Sequence, residues 1–194
     1  TPRTVAIATT CVMGSVPDMT AVMKVARRHK LKVVEDCAQS CGAQVKGRYV
    51  GTFGDVGIFS IAAYKTVGAG EGGLLITHDR GIWERASQLA ECGGLWRPVR
   101  FAAPRHEGEL FCGTNYRMSE LEAAVDVVQL RRMPATNRRF RAVKQRIVSQ
   151  LKTYREIQPQ IINDRAGEVG YQLRFYPATR ALGARLAAAL TAEG

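Results

Sequence analysis

No apolar run in this 194-residue sequence approaches the ~18 residues that a membrane span needs, and Thr1, Pro2 and Arg3 do not open a signal peptide. A soluble, cytoplasmic protein is the expectation. The cysteines, Cys11, Cys37, Cys41, Cys92 and Cys112, are odd in number and form no CxxC pair, which argues against a disulfide framework or a structural zinc site. His29, His78 and His106 stand far apart in sequence, so no metal centre is expected and the thiols read as small packed hydrophobes. Internal repeats and low-complexity stretches are also missing. What is present is a globular composition, 46% apolar and 23% charged, long enough to bury a core.

The net charge of +11 is not spread evenly. Residues 1–126 carry 15 basic and 13 acidic side chains, and residues 156–194 carry 4 of each. The excess therefore belongs to residues 127–155, which hold nine Lys or Arg and no acid. Phe140, Val143, Ile147 and Leu151 recur there at helical spacing, with Arg138, Arg139, Arg141 and Lys144 between them. One face is expected to pack and the other to be cationic. Such a face is ordinarily solvated, with nucleic-acid binding as the alternative it leaves open.

Residues 4–9 read as a buried strand, 18–29 as an amphipathic helix and 31–35 as a second strand. This order is a βαβ unit, which makes the two strands parallel and the fold α/β. Further strands fit 56–60 and 73–77. The glycine-rich stretch between them is too short for a helical crossover, so the fourth strand should run antiparallel to the third and the sheet should be mixed. A helix over 81–91 is followed by a long irregular loop, 92–114. Ser119 and Glu122 form a capping box, and Pro134 should break or kink the helix that it opens. A basic helix then runs to about residue 154, before strands over 157–162 and 171–176 and a helix over 178–192. Both ends of the chain look cut from something longer.

Gly68, Gly70 and Gly73 satisfy GxGxxG, but a strand follows them rather than a helix, which rejects a dinucleotide fingerprint. Close approach of the loop to a ligand, or positive φ, is the expected use of these glycines. Around them lie Asp36 and Gln39 just past one strand end, Ser60 at the end of another, and Lys65 five residues later. A lysine beside a carboxylate, a hydroxyl and free backbone amides at a sheet edge suits covalent capture of a carbonyl.

The wording around these residues is specific. Glu35-Asp36-Cys37-Ala38-Gln39-Ser40-Cys41-Gly42-Ala43, Gly51-Thr52-Phe53-Gly54-Asp55, Phe59-Ser60 with Lys65, Gly70-Glu71-Gly72-Gly73 and Gly113-Thr114-Asn115-Tyr116-Arg117-Met118 together resemble the DegT/DnrJ/EryC1/StrS family. These are pyridoxal-phosphate-dependent aminotransferases of keto-sugars, including nucleotide-linked ones, and of keto-cyclitols. The resemblance is strong to about residue 135 and weaker beyond. It implies a mixed, mostly parallel sheet flanked by helices, like the large domain of fold-type I (aspartate aminotransferase-like) enzymes, over 1–133. Residues 134–194 would form a connecting helix and part of a small α/β C-terminal domain.

Carried over by position, the resemblance assigns Lys65 to the cofactor's aldehyde and Asp36 to its pyridine nitrogen. It assigns Gln39 to the phenolic-oxygen side, Ala38 to the ring face and Ser60 to the phosphate. Asn115 would reach the phosphate in the neighbouring subunit, which implies a homodimer with shared sites. Glutamate or glutamine is the implied amino donor. The region before Thr1 would supply further cofactor contacts. The chain departs from the family's usual wording at Cys11-Val12-Met13-Gly14, at Cys41 and around Lys65, which leaves the amino acceptor open. A sugar dehydratase on the same scaffold would carry His at the lysine position, and Lys65 speaks against it. A catalytically silent member that binds nucleic acid through the basic helix is the reading from another class.

Overall fold

The computed structural model describes residues 1–93, 103–105 and 107–194. The first strand, β1 (Ala6–Thr10), leads through a tight turn at Val12–Gly14 into α1 (Met19–His29). Asp18 opens this helix by accepting a 3.0 Å hydrogen bond from the Ala21 N–H, and Met19 and Ala26 bury its inner face. The return strand, β2 (Lys32–Asp36), pairs parallel with β1, bringing Thr10 beside Asp36.

A short hairpin follows, β3 (Gln44–Val45) and β4 (Arg48–Tyr49). The sequence reading missed it. Its turn residues, Lys46 and Gly47, both have positive φ, the pattern of a type I′ turn whose signal here is only a Lys-Gly pair. Next come β5 (Val56–Ser60), parallel to β2, and β6 (Gly73–Thr77), antiparallel to β5. The sheet order is β1-β2-β5-β6, the mixed and mostly parallel sheet that the short glycine-rich connection demands.

The join between β2 and β5 is built by Glu35, which is fully buried. Its carboxylate accepts 2.7 Å hydrogen bonds from the backbone N–H groups of Gly51, Phe53 and Gly54. Asp55 completes the lock by accepting from Val33 N–H at 2.9 Å and from Lys32 Nζ at 2.7 Å, and these bonds hold its carboxyl below the usual range. Gly54 has to be glycine because a Cβ would lie 2.5 Å from the Val33 carbonyl oxygen. The Gly-Thr-Phe-Gly-Asp motif is therefore a scaffold for the sheet, held together at its centre by a buried carboxylate.

After α2 (Arg80–Ala90) comes the 32-residue helix α3 (Glu120–Leu151), opened by the Ser119 and Glu122 capping box. Part of the loop expected over 92–114, residues 94–102 and His106, lies outside the described residues. One expectation about α3 fails, because Pro134 does not divide it and the helix runs on through residues 133 and 134. The cost of the lost hydrogen bond is offset by anchors on either side, since Met133 Sδ lies 3.6 Å from Cys41 Sγ and Asn137 Nδ2 donates to the Cys41 carbonyl at 3.1 Å. Gly42 permits this approach, because a Cβ there would sit 2.5 Å from Met133 Sδ.

The packed face also differs from the apolar stripe. Val143 and Ile147 are exposed, whereas Asn137 and Lys144 are buried. Lys144 points inward because the buried Glu168 carboxylate neutralises it, and Arg141 Nη1 donates to the Glu168 carbonyl at 2.8 Å. Of the four cations expected on the exposed face, Arg138 and Arg139 are exposed, Arg141 is half-buried and Lys144 is buried.

The chain ends with β7 (Ile157–Pro159) antiparallel to β8 (Phe175–Pro177), then α4 (Arg180–Glu193), capped by Thr179. Between the two strands, residues 163–170 strap back onto the main sheet's loops. Val169 N–H donates to the Gly14 carbonyl at 2.9 Å, Asn163 Nδ2 to the Val16 carbonyl at 2.9 Å, and Gln44 N–H to the Gly167 carbonyl at 2.7 Å. The core joins Cys11, Met19, Val33, Cys37, Val50 and Val169. Cys112, by contrast, is exposed and Cys92 only half-buried, so not every thiol is a packed hydrophobe. Among the described residues, no helix is long and apolar enough to cross a membrane.

Candidate active site

The carboxyl ends of β1, β2 and β5 share one sheet edge because the three strands are parallel. That edge of an α/β sheet is open to ligands, since the loops leaving it diverge. Asp36 closes β2 there, half-buried. Its Oδ1 accepts from the Ala38 N–H at 3.0 Å, and Oδ2 has no partner among the described residues. The carboxylate is thus oriented through one oxygen and presents the other.

Gln39 is fixed in the same way. The Met13 N–H donates to its side-chain oxygen at 2.7 Å, and a backbone N–H can only donate, so the accepting atom is Oε1 and the amide Nε2 is the free end. Met13 itself takes a left-handed conformation, φ 53°, within the 11–16 turn. Ser40, which is buried, holds the base of that turn by donating from Oγ to the Cys11 carbonyl at 2.7 Å. Sequence reasoning did not single out Met13 or Ser40. Their only signal is the Gly14 that follows Met13, which has φ 80° and lies against Tyr171.

Ser60 ends β5 opposite Gly73 of β6. Its Oγ accepts from the Ala62 N–H at 3.4 Å, which leaves the hydroxyl proton available to donate. The loop that follows is pinned at its base by Ile61 N–H to the Gly72 carbonyl at 3.1 Å and by a bridge between Ala62 and Gly70. Ile61 and Val67 are buried beneath it. Lys65 is half-buried in this loop, with its N–H on the Ala62 carbonyl at 2.9 Å and Nζ 5.0 Å from the centre of the Tyr64 ring. No carboxylate among the described residues is within ion-pair distance of Lys65. None of Gly68, Gly70 and Gly73 has positive φ. Gly68 is needed because a Cβ would collide with the Ala62 carbonyl, and the Glu122 carboxylate takes the space a Gly70 Cβ would fill, so the close approach is to protein.

Asn115 is not carried by a sheet strand. Its segment runs along the end of α2, with Thr114 N–H on the Leu89 carbonyl at 2.8 Å, Tyr116 N–H on the Ala90 carbonyl at 3.0 Å and a bridge to Glu91. The Asn115 side chain is exposed and accepts from Arg117 Nε at 3.0 Å. Asp36, Ala38, Gln39, Ser60 and Lys65 thus leave from one edge of the sheet, while Asn115 is held on α2. Cys11 and Cys37 lie just beyond the ends of β1 and β2 with Sγ atoms 3.9 Å apart, and this contact, together with burial, raises the Cys37 thiol. Burial likewise pushes Cys41 up to about 11. Neither supplies a thiolate at neutral pH.

The model of the DegT/DnrJ/EryC1/StrS aminotransferase family matches residues 1–193. The chain is 39% identical over 146 residues, 73% of its length, to the L-glutamine:2-deoxy-scyllo-inosose aminotransferase of Micromonospora echinospora, of which it covers 34%. It is 40% identical over 126 residues, 64% of its length, to the UDP-N-acetyl-3-dehydro-alpha-D-glucosamine 3-aminotransferase of Acidithiobacillus ferrooxidans, of which it covers 32%. Among solved structures, the aminotransferase TlmJ from Streptoalloteichus hindustanus superimposes with a TM-score of 0.81 at 29% identity, over 95% of this chain and 50% of that one. The chain spans about a third of the length of the curated relatives it matches and half of the solved one.

Proposed function

Because the chain belongs to the DegT/DnrJ/EryC1/StrS aminotransferase family, we propose that the protein transfers an amino group from glutamate or glutamine to a keto-sugar or keto-cyclitol with pyridoxal phosphate as cofactor, in the cytoplasm. The observation that carries this reading is the donor set at one sheet edge. A carboxylate oxygen and an amine that have no hydrogen-bond or ion-pair partner among the described residues, an amide fixed with its N–H₂ outward and a hydroxyl with its proton available leave from the same edge. Asp36 matches a pyridine N–H, Gln39 a phenolate oxygen, Ser60 a phosphate and Lys65 an aldehyde, so the residues fit the cofactor.

When bound, pyridoxal phosphate supplies the electron sink that makes the α-proton of an amino acid removable. Asp36 Oδ2 would hold the proton on the pyridine nitrogen, an opposite charge favouring the protonated ring. Gln39 Nε2 would donate to the phenolate and Ser60 Oγ to the phosphate, with Ala38 against the ring face. Lys65 Nζ would hold the aldehyde carbon until an incoming amine displaces it, then act as the base that carries the α-proton. That role needs an amine not held in an ion pair, and no carboxylate among the described residues pairs with Lys65. The Lys at this position, rather than His, supports transamination over dehydration.

The fixed amide gives a specific prediction. Gln39→Glu keeps an acceptor for the Met13 N–H but turns the donor toward the phenolate into a second acceptor, so cofactor affinity should fall by about tenfold or more, the size of a lost charge-assisted hydrogen bond. A fluorescence titration of the full-length protein with pyridoxal phosphate reads this directly, and the melting temperature without cofactor should hardly change. Unchanged affinity would remove Gln39 from the site.

The account includes a homodimer in which Asn115 serves the partner's cofactor, with 1–133 in the cofactor-binding domain and 134–194 leading into a smaller one. Asn115 is exposed, on a segment tied to the end of α2 and not on the strands that carry the other candidates, which leaves it accessible to a partner. Mixing inactive full-length Lys65→Ala and Asn115→Ala proteins under subunit exchange should restore activity, because one site of each mixed dimer regains both wild-type residues. Mixed dimers without activity would refute sharing. The activity itself is tested by incubating the full-length protein with pyridoxal phosphate, glutamine or glutamate and a panel of keto-sugars and keto-cyclitols. Amino product is expected, and none across the panel would count against the proposal.

A further inference from the structure

A crevice of about 250 Å³ opens between the second half of α3 and the β7–β8 unit, apart from the sheet edge that carries Asp36 and Lys65. Four cations line it, Lys144, Lys152, Arg165 and Arg174, against one acid, Glu168. Lys144 and Glu168 neutralise each other as a buried pair. Three cations remain, and none has a carboxylate within ion-pair distance among the described residues. Lys144 and Lys152 come from the acid-free stretch 127–155, and Arg165 and Arg174 from the segment between β7 and β8.

The surroundings make this more than a solvated basic surface. Val148, Ile162 and Leu173 form apolar walls of the same crevice, and Arg174 is half-buried between them and solvent. A guanidinium kept partly out of water without a counter-ion carries a desolvation cost that an anion would relieve, and low-dielectric walls focus the field of the cations. Two arginines provide the planar forks that match phosphate oxygens, with Lys152 as a point charge beside them.

We propose that this crevice is a second ligand site, for a small phosphate ester whose phosphate meets Arg165, Arg174 and Lys152 and whose organic part lies on Val148, Ile162 and Leu173. It is independent of the transfer chemistry and does not use Lys65 or Asp36.

The test uses the full-length protein with pyridoxal phosphate fixed by borohydride reduction and the excess removed by gel filtration, so that a cofactor phosphate occupies the sheet edge and no free phosphate ester competes. Phenyl phosphate and inorganic phosphate are titrated by calorimetry at low salt. The site predicts saturable binding of phenyl phosphate, about fivefold or more tighter than inorganic phosphate because the ring covers the apolar walls. The Arg165→Ala, Arg174→Ala double variant should weaken phenyl phosphate by about tenfold or more. Arg165→Glu, at an exposed position that leaves the fold intact, should weaken it in the same direction. No saturable binding, equal affinity for the two anions, or binding that survives both variants would overturn the proposal.

Discussion

Lys65→Ala in the full-length protein should lower amino transfer by about three orders of magnitude or more and abolish the visible absorbance of lysine-linked cofactor, since one amine both holds the aldehyde and moves the α-proton. The loop around Lys65 is held by Ile61 and Val67 beneath it and by bonds at its base, none of which involves the lysine side chain, so the variant should fold normally. Lys65→Arg is the sharper control. It keeps the positive charge but cannot act as a free base near neutral pH, and it should be as inactive as the alanine variant. Turnover of either variant within tenfold of wild type would show that another residue carries the proton.

Glu35→Ala should damage the fold more than any change among the candidate catalytic side chains. It would leave the N–H groups of Gly51, Phe53 and Gly54 without their acceptor, at about 1–3 kcal/mol for each buried donor that stays unsatisfied. The sum is comparable to the whole stability of an ordinary domain, about 5–15 kcal/mol, so the variant should be recovered unfolded or with a much lower melting temperature. Glu35→Gln should be milder, because Oε1 can still accept from Phe53 and Gly54 while only the Gly51 contact turns repulsive. A Glu35→Ala protein that melts within a few degrees of wild type would show that the loop finds other partners.

Glu35 and Asp36 also show how far the sequence is legible. Adjacent residues in a strand point to opposite faces, so two neighbouring carboxylates at a strand end must have different environments. Their order alone does not say which faces the buried loop and which the open edge. The parallel start, the antiparallel β6 and the capping box of α3 were readable because each rests on local spacing. The inward turn of Lys144 was not, because it depends on Glu168, 24 residues away. Nor was the survival of α3 through Pro134, which depends on Met133 and Asn137 meeting Cys41 across the fold. The same limit applied to Gln39. Its identity suggested a ligand, but the direction of its amide depends on the Met13 N–H, a long-range contact that periodicity does not encode.

The central claim is that Lys65 is the amine that holds the cofactor. Borohydride reduction of the full-length protein with pyridoxal phosphate, followed by peptide mapping, tests it most directly, because reduction fixes the cofactor to whichever lysine holds it. The account predicts a single phosphopyridoxyl mark on Lys65. A mark on Lys46, Lys32 or any other lysine, or no mark at saturating cofactor, would contradict it.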